Sequence, residues 1–466
     1  MEVIKVNDIC LSNIDELVVD RELKPIALTD DTMNQRLKKV MNRMEQGKLD
    51  ALVIYGDLEH GGNFEYLTGF VTRFEEGMLV LHKTGKAYLI LGNENINKVP
   101  KSRIKAIGIH MPHLSLANQP MEDDRPISDY FREAGLTDSM RVGVVGWKLF
   151  TSHYCDNNNL FDLPNFLIQG LKEVVGEKHL SNQTGLFISS DNGARVKNNS
   201  NEIAHYEFWA QLSSQSMSKG LELFDVGLSE MKIGDVMQEM GQPRSVVTIV
   251  ATGERFEKAN MYPTDKKVSL GDPVSMTVGY KGGLTSRAGY AVKNSAQLPK
   301  GQEDYLDKLA KPYFNAVATW LESIKIGKTG QEMYKMIEGI LPKENYGWQL
   351  NPGHLFADEE WLSSPIYPNS EITLKSGMMF QLDIIPSISG YAGTSCESGI
   401  ALADERLRKE IKDNYPDLHH VFMLRRKFIE KQLNIHLPEE VLPMTDTVAY
   451  YRPFFLAKDH ALKRIK

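Results

Sequence analysis

The stretch GDPVSMTVG, residues 271–279, and its echo GMMFQLDII, residues 377–385, decide how this chain is read. Both are glycine-led apolar runs with the look of strands. Six positions after each glycine stands a polar residue, Thr277 in the first run and Asp383 in the second. The same order of elements precedes each run. Ile203, Tyr206, Ala210, Met217, Leu221 and Phe224 form one helical stripe, and GLSEMKIGDVMQEM (227–240) follows as a turn and short helix. Leu306, Leu309, Tyr313, Val317, Trp320 and Ile324 repeat the stripe in a helix beginning near Asp304, and IGKTGQEMYKMI (326–337) repeats the turn and short helix. The two units lie about one hundred residues apart. A weak internal duplication follows, in which Thr277 and Asp383 occupy matching places in two related halves. Period-two alternation puts Thr277 with Ser275, and Asp383 with Gln381, on one polar strand face. Such a face lines a cavity or is the solvent side of an antiparallel sheet, and alternation leaves both open.

Upstream the pattern changes. Arg36, Leu37, Val40, Met41 and Met44 have helical spacing, closed by the QGKLD turn. ALVIYG (51–56) and RVGVVG (141–146) read as buried strands, and MLVLH (78–82) with AYLIL (87–91) reads as a hairpin around KTGK. Strands mixed with helices imply an α/β layer domain. The polar run SSDNGARVKNNSN (189–201) marks its end, so the expected domains are 1–188, α/β, and 189–466, α+β.

Composition sets the outer bounds. A length of 466 residues, 42% hydrophobic and 25% charged, describes a globular protein of two or three domains and excludes disordered and fibrous chains. A net charge of -7 argues against a broad nucleic-acid-binding face. The three cysteines, Cys10, Cys155 and Cys396, are too scattered for a zinc knuckle and odd in number, which suits a reducing cytoplasm. Acidic residues arrive early in MEVIKVNDICLSNIDELVVDRELK without a signal-type apolar core, and no run approaches the ~20 apolar residues of a membrane span. The expectation is a soluble cytoplasmic protein with neither nucleic-acid nor membrane partners.

With these segments in place, the layout resembles the pita-bread family of aminopeptidase P, prolidase, methionine aminopeptidase and creatinase. LDALVIYGDLEHGGNFEYLTGF looks like the creatinase/prolidase N-terminal domain. NNSNEIAHYEFWAQLSSQSMSKGLEL looks like the first helix of the catalytic domain. GDPVSMTVGYKGG, NPGHLF, LKSGMMFQLDIIP and TSCESGIALAD look like its four site segments in order, and LPEEVLPMTDTVAYYRPF is similar to the aminopeptidase P ending. The resemblance implies a pita-bread C-terminal domain with internal pseudo-duplication, a homodimer, and a small-molecule or peptide substrate.

The resemblance also implies a site. Metallopeptidases of this family hold two divalent ions on two Asp, one His and two Glu, which activate water and polarise a carbonyl. Here the His falls on His354, the last Glu on Glu397, and the other Glu position holds Asp383. The first Asp position holds Thr277; the second falls on Arg287, or on Ser286 if the register shifts by one. Hydroxyls do not neutralise a cation, and an inward Arg287 repels it. At ~5 Å and an effective dielectric of ~20, two unit charges interact by about 3 kcal/mol, and a dication feels roughly twice that. Met261 stands where the family carries a His before the first metal strand. The expectation is therefore no cofactor, or at most one weakly held divalent metal on His354, Asp383 and Glu397.

The implied activity is that of an aminopeptidase P- or creatinase-like hydrolase acting on a C–N bond of a small peptide or amidine-like substrate. His354 is the expected acid/base, Asp383 and Glu397 orient substrate, and Arg287 anchors a carboxylate. Thr277, Met261, Tyr66 and Arg73 are the further expected substrate contacts, the last two from GNFEYLTGFVTRF, which otherwise reads as a surface loop with a core Tyr. A pseudoenzyme binding a small ligand or partner and a weak mononuclear peptidase are the rival readings. Asp358-Glu359-Glu360-Trp361 reads first as a solvated acidic turn before a core Trp, and otherwise as an acid and an indole at a pocket rim. No Walker loop, Rossmann glycine run or Gly-x-Ser-x-Gly elbow occurs.

Overall fold

The computed structural model describes residues 8–465 apart from positions 20, 239, 259 and 260. The chain forms two units: Leu28–Val196, and Lys197–Lys466 joined by the described part of Met1–Ala27, which carries strand β1 (Ile9–Asn13).

In the N-terminal unit, Thr29 caps the helix Asp30–Gln46, which buries Met33, Arg36, Val40 and Met44 as its 3.6-residue spacing demands. Six strands follow: β2 (Ala51–Gly56), β3 (Gly77–His82), β4 (Ala87–Leu91), β5 (Ile107–His110), β6 (Val142–Val145) and β7 (Leu180–Asn182). They lie in the order β5-β4-β3-β2-β6-β7. The expected hairpin is the antiparallel pair β3–β4, while β6 lies parallel to β2. Both faces are covered, which is why ALVIYG is buried throughout. The expected boundary at 188 falls short by eight residues. Ala194 and Arg195 donate backbone bonds to Leu186 and Phe187, tying the chain to this unit as far as Val196.

The C-terminal unit opens with the long helix Ser200–Leu223, started by a reciprocal capping box between Asn199 and Glu202. Its strands are β8 (Arg244–Thr252), β9 (Pro273–Tyr280), β10 (Gly283–Tyr290), β11 (His354–Leu355), β12 (Met379–Leu382), β13 (Ser395–Leu402) and β14 (Val441–Pro443). The sheet runs β11-β12-β13-β10-β9-β8, with β14 beside β13. The second stripe is one continuous helical run, but its first turn is not α-helical. A π-helical turn at Leu306–Ala310 precedes the α-helix Lys311–Ser323, and Pro312, which lacks an N–H, sits at that junction.

The duplication extends to the hydrogen bonds that frame each half. Gly227 and Gly327, at φ 87° and 90°, donate to Val268 and Leu374 at 2.9 Å each. Val268 and Leu374 return bonds to Leu228 and Lys328. Ser229 and Thr329 each cap the short helix that follows. Gly271 and Gly377, at φ 88° and 87°, then start β9 and β12 by donating to Ala291 and Leu402.

The last strand, β15 (His460–Arg464), pairs antiparallel with β1. This pairing takes the chain's first described residues away from the expected 1–188 domain. Arg21 reinforces it by an ion pair to Glu207 at 2.5 Å, within a buried network in which Arg425 contacts Glu207 and Asp446 at 2.7 Å each.

Candidate active site

Sheet register builds the site. Thr277 pairs with Ser286, and Ser286 with Glu397. Leu382 pairs with Ser398, which brings Asp383 level with Glu397 just past the end of β12. His354 pairs with Gln381, two residues before Asp383. Paired and alternate residues share a face, so His354, Asp383, Glu397, Ser286 and Thr277 all project to one side of the sheet. That side is interior: their exposures run from 0% for His354 to 8% for Ser286. The polar face seen in the sequence therefore lines the inside of the unit.

Arg287 belongs to the opposite face, and the register that placed it in the site is corrected by one residue. It pairs with Cys396 and Met276. Its guanidinium donates to the carbonyls of Tyr450, Ser286, Glu397 and Thr447 at 2.6–3.1 Å. So engaged, it has no fork to offer a substrate carboxylate. Ser286 takes the inward place instead, its Oγ 2.8 Å from Thr277 Oγ1.

A residue outside the expected set completes the cluster. After β11 the chain folds back, with Leu355 and Ser363 bridged and Leu362 donating to Leu355 at 2.8 Å. Asp358 pins this excursion by accepting from Tyr206 Oη at 2.9 Å and lying 3.6 Å from Lys281 Nζ. Gly282 allows its approach; a Cβ there would stand 1.7 Å from the Ala357 carbonyl oxygen. The result sets Glu360 Oε1 2.9 Å from His354 Nε2 and stacks Trp361 on the imidazole at 4.0 Å. The acidic turn is thus packed onto His354 through Glu360 and Trp361, while Trp361 stays 38% exposed. Helical or strand periodicity carries no sign of a fold-back, so only the short interval from His354 pointed to it.

The electrostatics are those of crowded acids. His354 Nδ1 faces the Leu355 carbonyl at 3.2 Å, and Nε2 lies 3.8 Å from Asp383 Oδ2. Burial pulls the imidazole pKa down, but the Glu360 contact and the Asp383 charge outweigh it, and the net shift is upward. Burial raises the Asp383 carboxyl to about 6, against the opposing pull of His354. Burial first, then the charges of Asp383 and Glu360, push Glu397 well above the carboxylate range. Asp383 Oδ1, Glu397 Oε1 and His354 Nε2 have no hydrogen-bond partner among the described residues, Nε2 lying off the line of a bond to Glu360.

These donors do not fit a two-cation centre. The places that would need two more carboxylates hold Thr277 and Ser286, neutral hydroxyls bonded to each other. They do fit a single cation: His354, Glu360 and Glu397 offer ligand atoms within 4.8 Å of one another, the one such group among the described residues.

Of the other expected contacts, Met261 is 46% exposed in the segment before β9. Tyr66 and Arg73 belong to the N-terminal unit and its own packing. Tyr66 is buried there, its hydroxyl donating to Ala194 O at 2.9 Å and Arg36 lying over its ring, so its hydroxyl is a structural tie rather than a substrate contact. The Arg73 guanidinium lies over Phe74.

This combination of a mixed α/β unit and a duplicated pita-bread unit, with acids and one histidine on the inner sheet face, defines a class of two-domain proteins. Residues 36–117 match the creatinase/prolidase N-terminal domain and residues 204–405 match metallopeptidase family M24. The chain belongs to this M24, creatinase-like family. No curated protein sequence matches it. Among solved structures, a prolidase from Thermococcus sibiricus superposes with a TM-score of 0.62 at 17% identity, covering 81% of this chain and 96% of that one. The Xaa-Pro dipeptidase from Bacillus anthracis gives 0.59 at 17%, covering 80% and 94%. The X-Pro aminopeptidase from Thermotoga maritima gives 0.59 at 14%, covering 79% and 95%. Identities this low speak for the fold alone.

Proposed function

We propose that the protein is a hydrolase of the M24 type that cleaves a C–N bond in a small peptide or amidine-like substrate without a paired-cation centre. The observation that supports this is the convergence of His354, Asp383, Glu397 and Glu360 with buried polar atoms left unsatisfied. An unpaired buried polar group costs about 1–3 kcal/mol, which a bound substrate or ion that partnered these atoms would offset.

In the reaction, the oxygen of water adds to the carbonyl or amidine carbon, the C–N bond breaks, and a proton passes from the water to the departing nitrogen. Asp383 suits that transfer, because Oδ1 is free while Oδ2 faces His354. His354, engaged at Nδ1 and facing Glu360 at Nε2, is assigned a holding role in this reading, and the acid/base role expected of it is given to Asp383. The Thr277–Ser286 contact uses one hydroxyl proton and leaves the other for a substrate oxygen. A panel of Xaa-Pro dipeptides, creatine and small amides tests the reading. Turnover of one class is expected, with Asp383→Asn slowing it by ~100-fold or more. No product from any member, with and without added divalent metal, would sink the reading.

The Thr277–Ser286 hydroxyl pair also favours a second reading, a pseudoenzyme that binds such a ligand unchanged. Stabilisation by a panel member without product would mark it. The homodimer implied by the resemblance is checked by light scattering.

A further inference from the structure

We infer that the C-terminal unit holds one divalent cation and that Glu360 is one of its ligands, with His354 Nε2 and Glu397. The resemblance supplies His354, Asp383 and Glu397 as metal candidates; Glu360 has no counterpart in that set. The inference goes beyond the proposed hydrolysis, since ion number and ligand identity hold whether or not a substrate turns over.

Three observations carry it. The donor atoms of His354, Glu360 and Glu397 already lie within 4.8 Å of one another. Glu397 Oε1 and His354 Nε2, on side chains over nine-tenths buried, have no hydrogen-bond partner among the described residues. Three carboxylates, those of Glu360, Asp383 and Glu397, crowd one imidazole, so this buried set of donors takes up either protons or a cation.

The same geometry sets the number at one. Thr277 and Ser286 satisfy each other at the far end of the row and bring no negative charge. Glu360 is held at the near end by the fold-back that Asp358 pins and Gly282 admits. Hard oxygens with one imidazole suit manganese, magnesium, cobalt or zinc. Such an ion supplies a fixed positive charge that polarises a carbonyl. With His354 and Glu397 committed as ligands, Asp383 is left to carry the proton. At 21% side-chain exposure, Glu360 also gives the site a side that opens to water.

The test is a manganese titration of the full-length, chelator-stripped protein, followed by the electron paramagnetic resonance of free Mn2+ and by the melting temperature. One ion per chain is expected, with Glu360→Gln weakening binding at least ~10-fold and abolishing the manganese-induced rise in melting temperature. Two ions per chain, none, or an unchanged affinity in Glu360→Gln would overturn the inference. If that variant does not fold, Glu360→Asp, which withdraws the carboxylate by one methylene, is expected to weaken binding, and an unaltered affinity there is equally fatal. These readouts need no substrate, so the dipeptide panel fails or succeeds separately.

Discussion

Glu397 concentrates the cost of this site in one side chain. In metal-free protein its carboxyl favours the proton far more in the fold than in the unfolded chain, through burial first and then the charges of Asp383 and Glu360. A folded-state pKa above the unfolded one gives stability that is full below the ordinary value of about 4.3 and lost as pH rises toward the folded value. Glu397→Gln, neutral throughout, is therefore expected to melt near the parent at pH 4.5 and several degrees above it at pH 8, in chelator-treated samples. A variant destabilised equally at both pH values would refute this. At this scale the sequence exposed some positions and hid others. Thr277 and Asp383 were legible because the duplicated strands align them and residue order on a strand fixes which neighbours share a face, whereas His354 and Glu397 came from the resemblance of NPGHLF and TSCESGIALAD to the family's site segments. The choice between Ser286 and Arg287 was not, because GLTSRAGY is buried on both sides and shows no alternation to set its parity. Glu360 appeared only in the second reading of the acidic turn, because its place depends on a tertiary fold-back.

Elements carried more of the signal. The two glycine-led strands, the capped short helices and the stripe before each were readable, since each rests on local rules of capping, turn geometry and periodicity. The π-helical turn at Leu306–Ala310 was not, because such a turn barely disturbs an apolar stripe. The excursion 356–361 is the element on which the metal site depends, and Gly282 is its weak point. Its φ of 81° and the 1.7 Å approach to Ala357 O leave no room for a Cβ. Gly282→Ala should thus push the excursion outward and cost manganese affinity without touching any ligand. Unchanged manganese binding in a folded Gly282→Ala protein would separate the excursion from the site.

For the molecule as a whole, the division into an α/β and a pita-bread unit was legible from the shift in pattern near the middle of the chain. The allegiance of the first residues was not, since a five-residue strand says nothing about its partner four hundred and fifty positions away. Among the described residues no helix is long and apolar enough to cross a membrane. Removing the residues before Leu28 takes away β1, the Arg21–Glu207 pair and the Val19 contact to Asp446. The Arg425 network then loses part of its cover, and breaking a buried pair costs ~3–5 kcal/mol. The truncated protein is expected to show a lower melting temperature for the C-terminal unit, with little change in the N-terminal one. A single unshifted transition would argue that the strap contributes nothing.

The β1–β15 pairing also constrains how the chain can be made. Ile9–Asn13 is synthesised long before His460–Arg464, so β1 must wait for β15 to find its mate, while the sheet of Leu28–Val196 holds all its strand partners within that unit and can settle early. A newborn chain would thus carry a finished module and an orphan strand until His460–Arg464 emerges, and a chain cut short before His460 would leave that strand permanently unmatched.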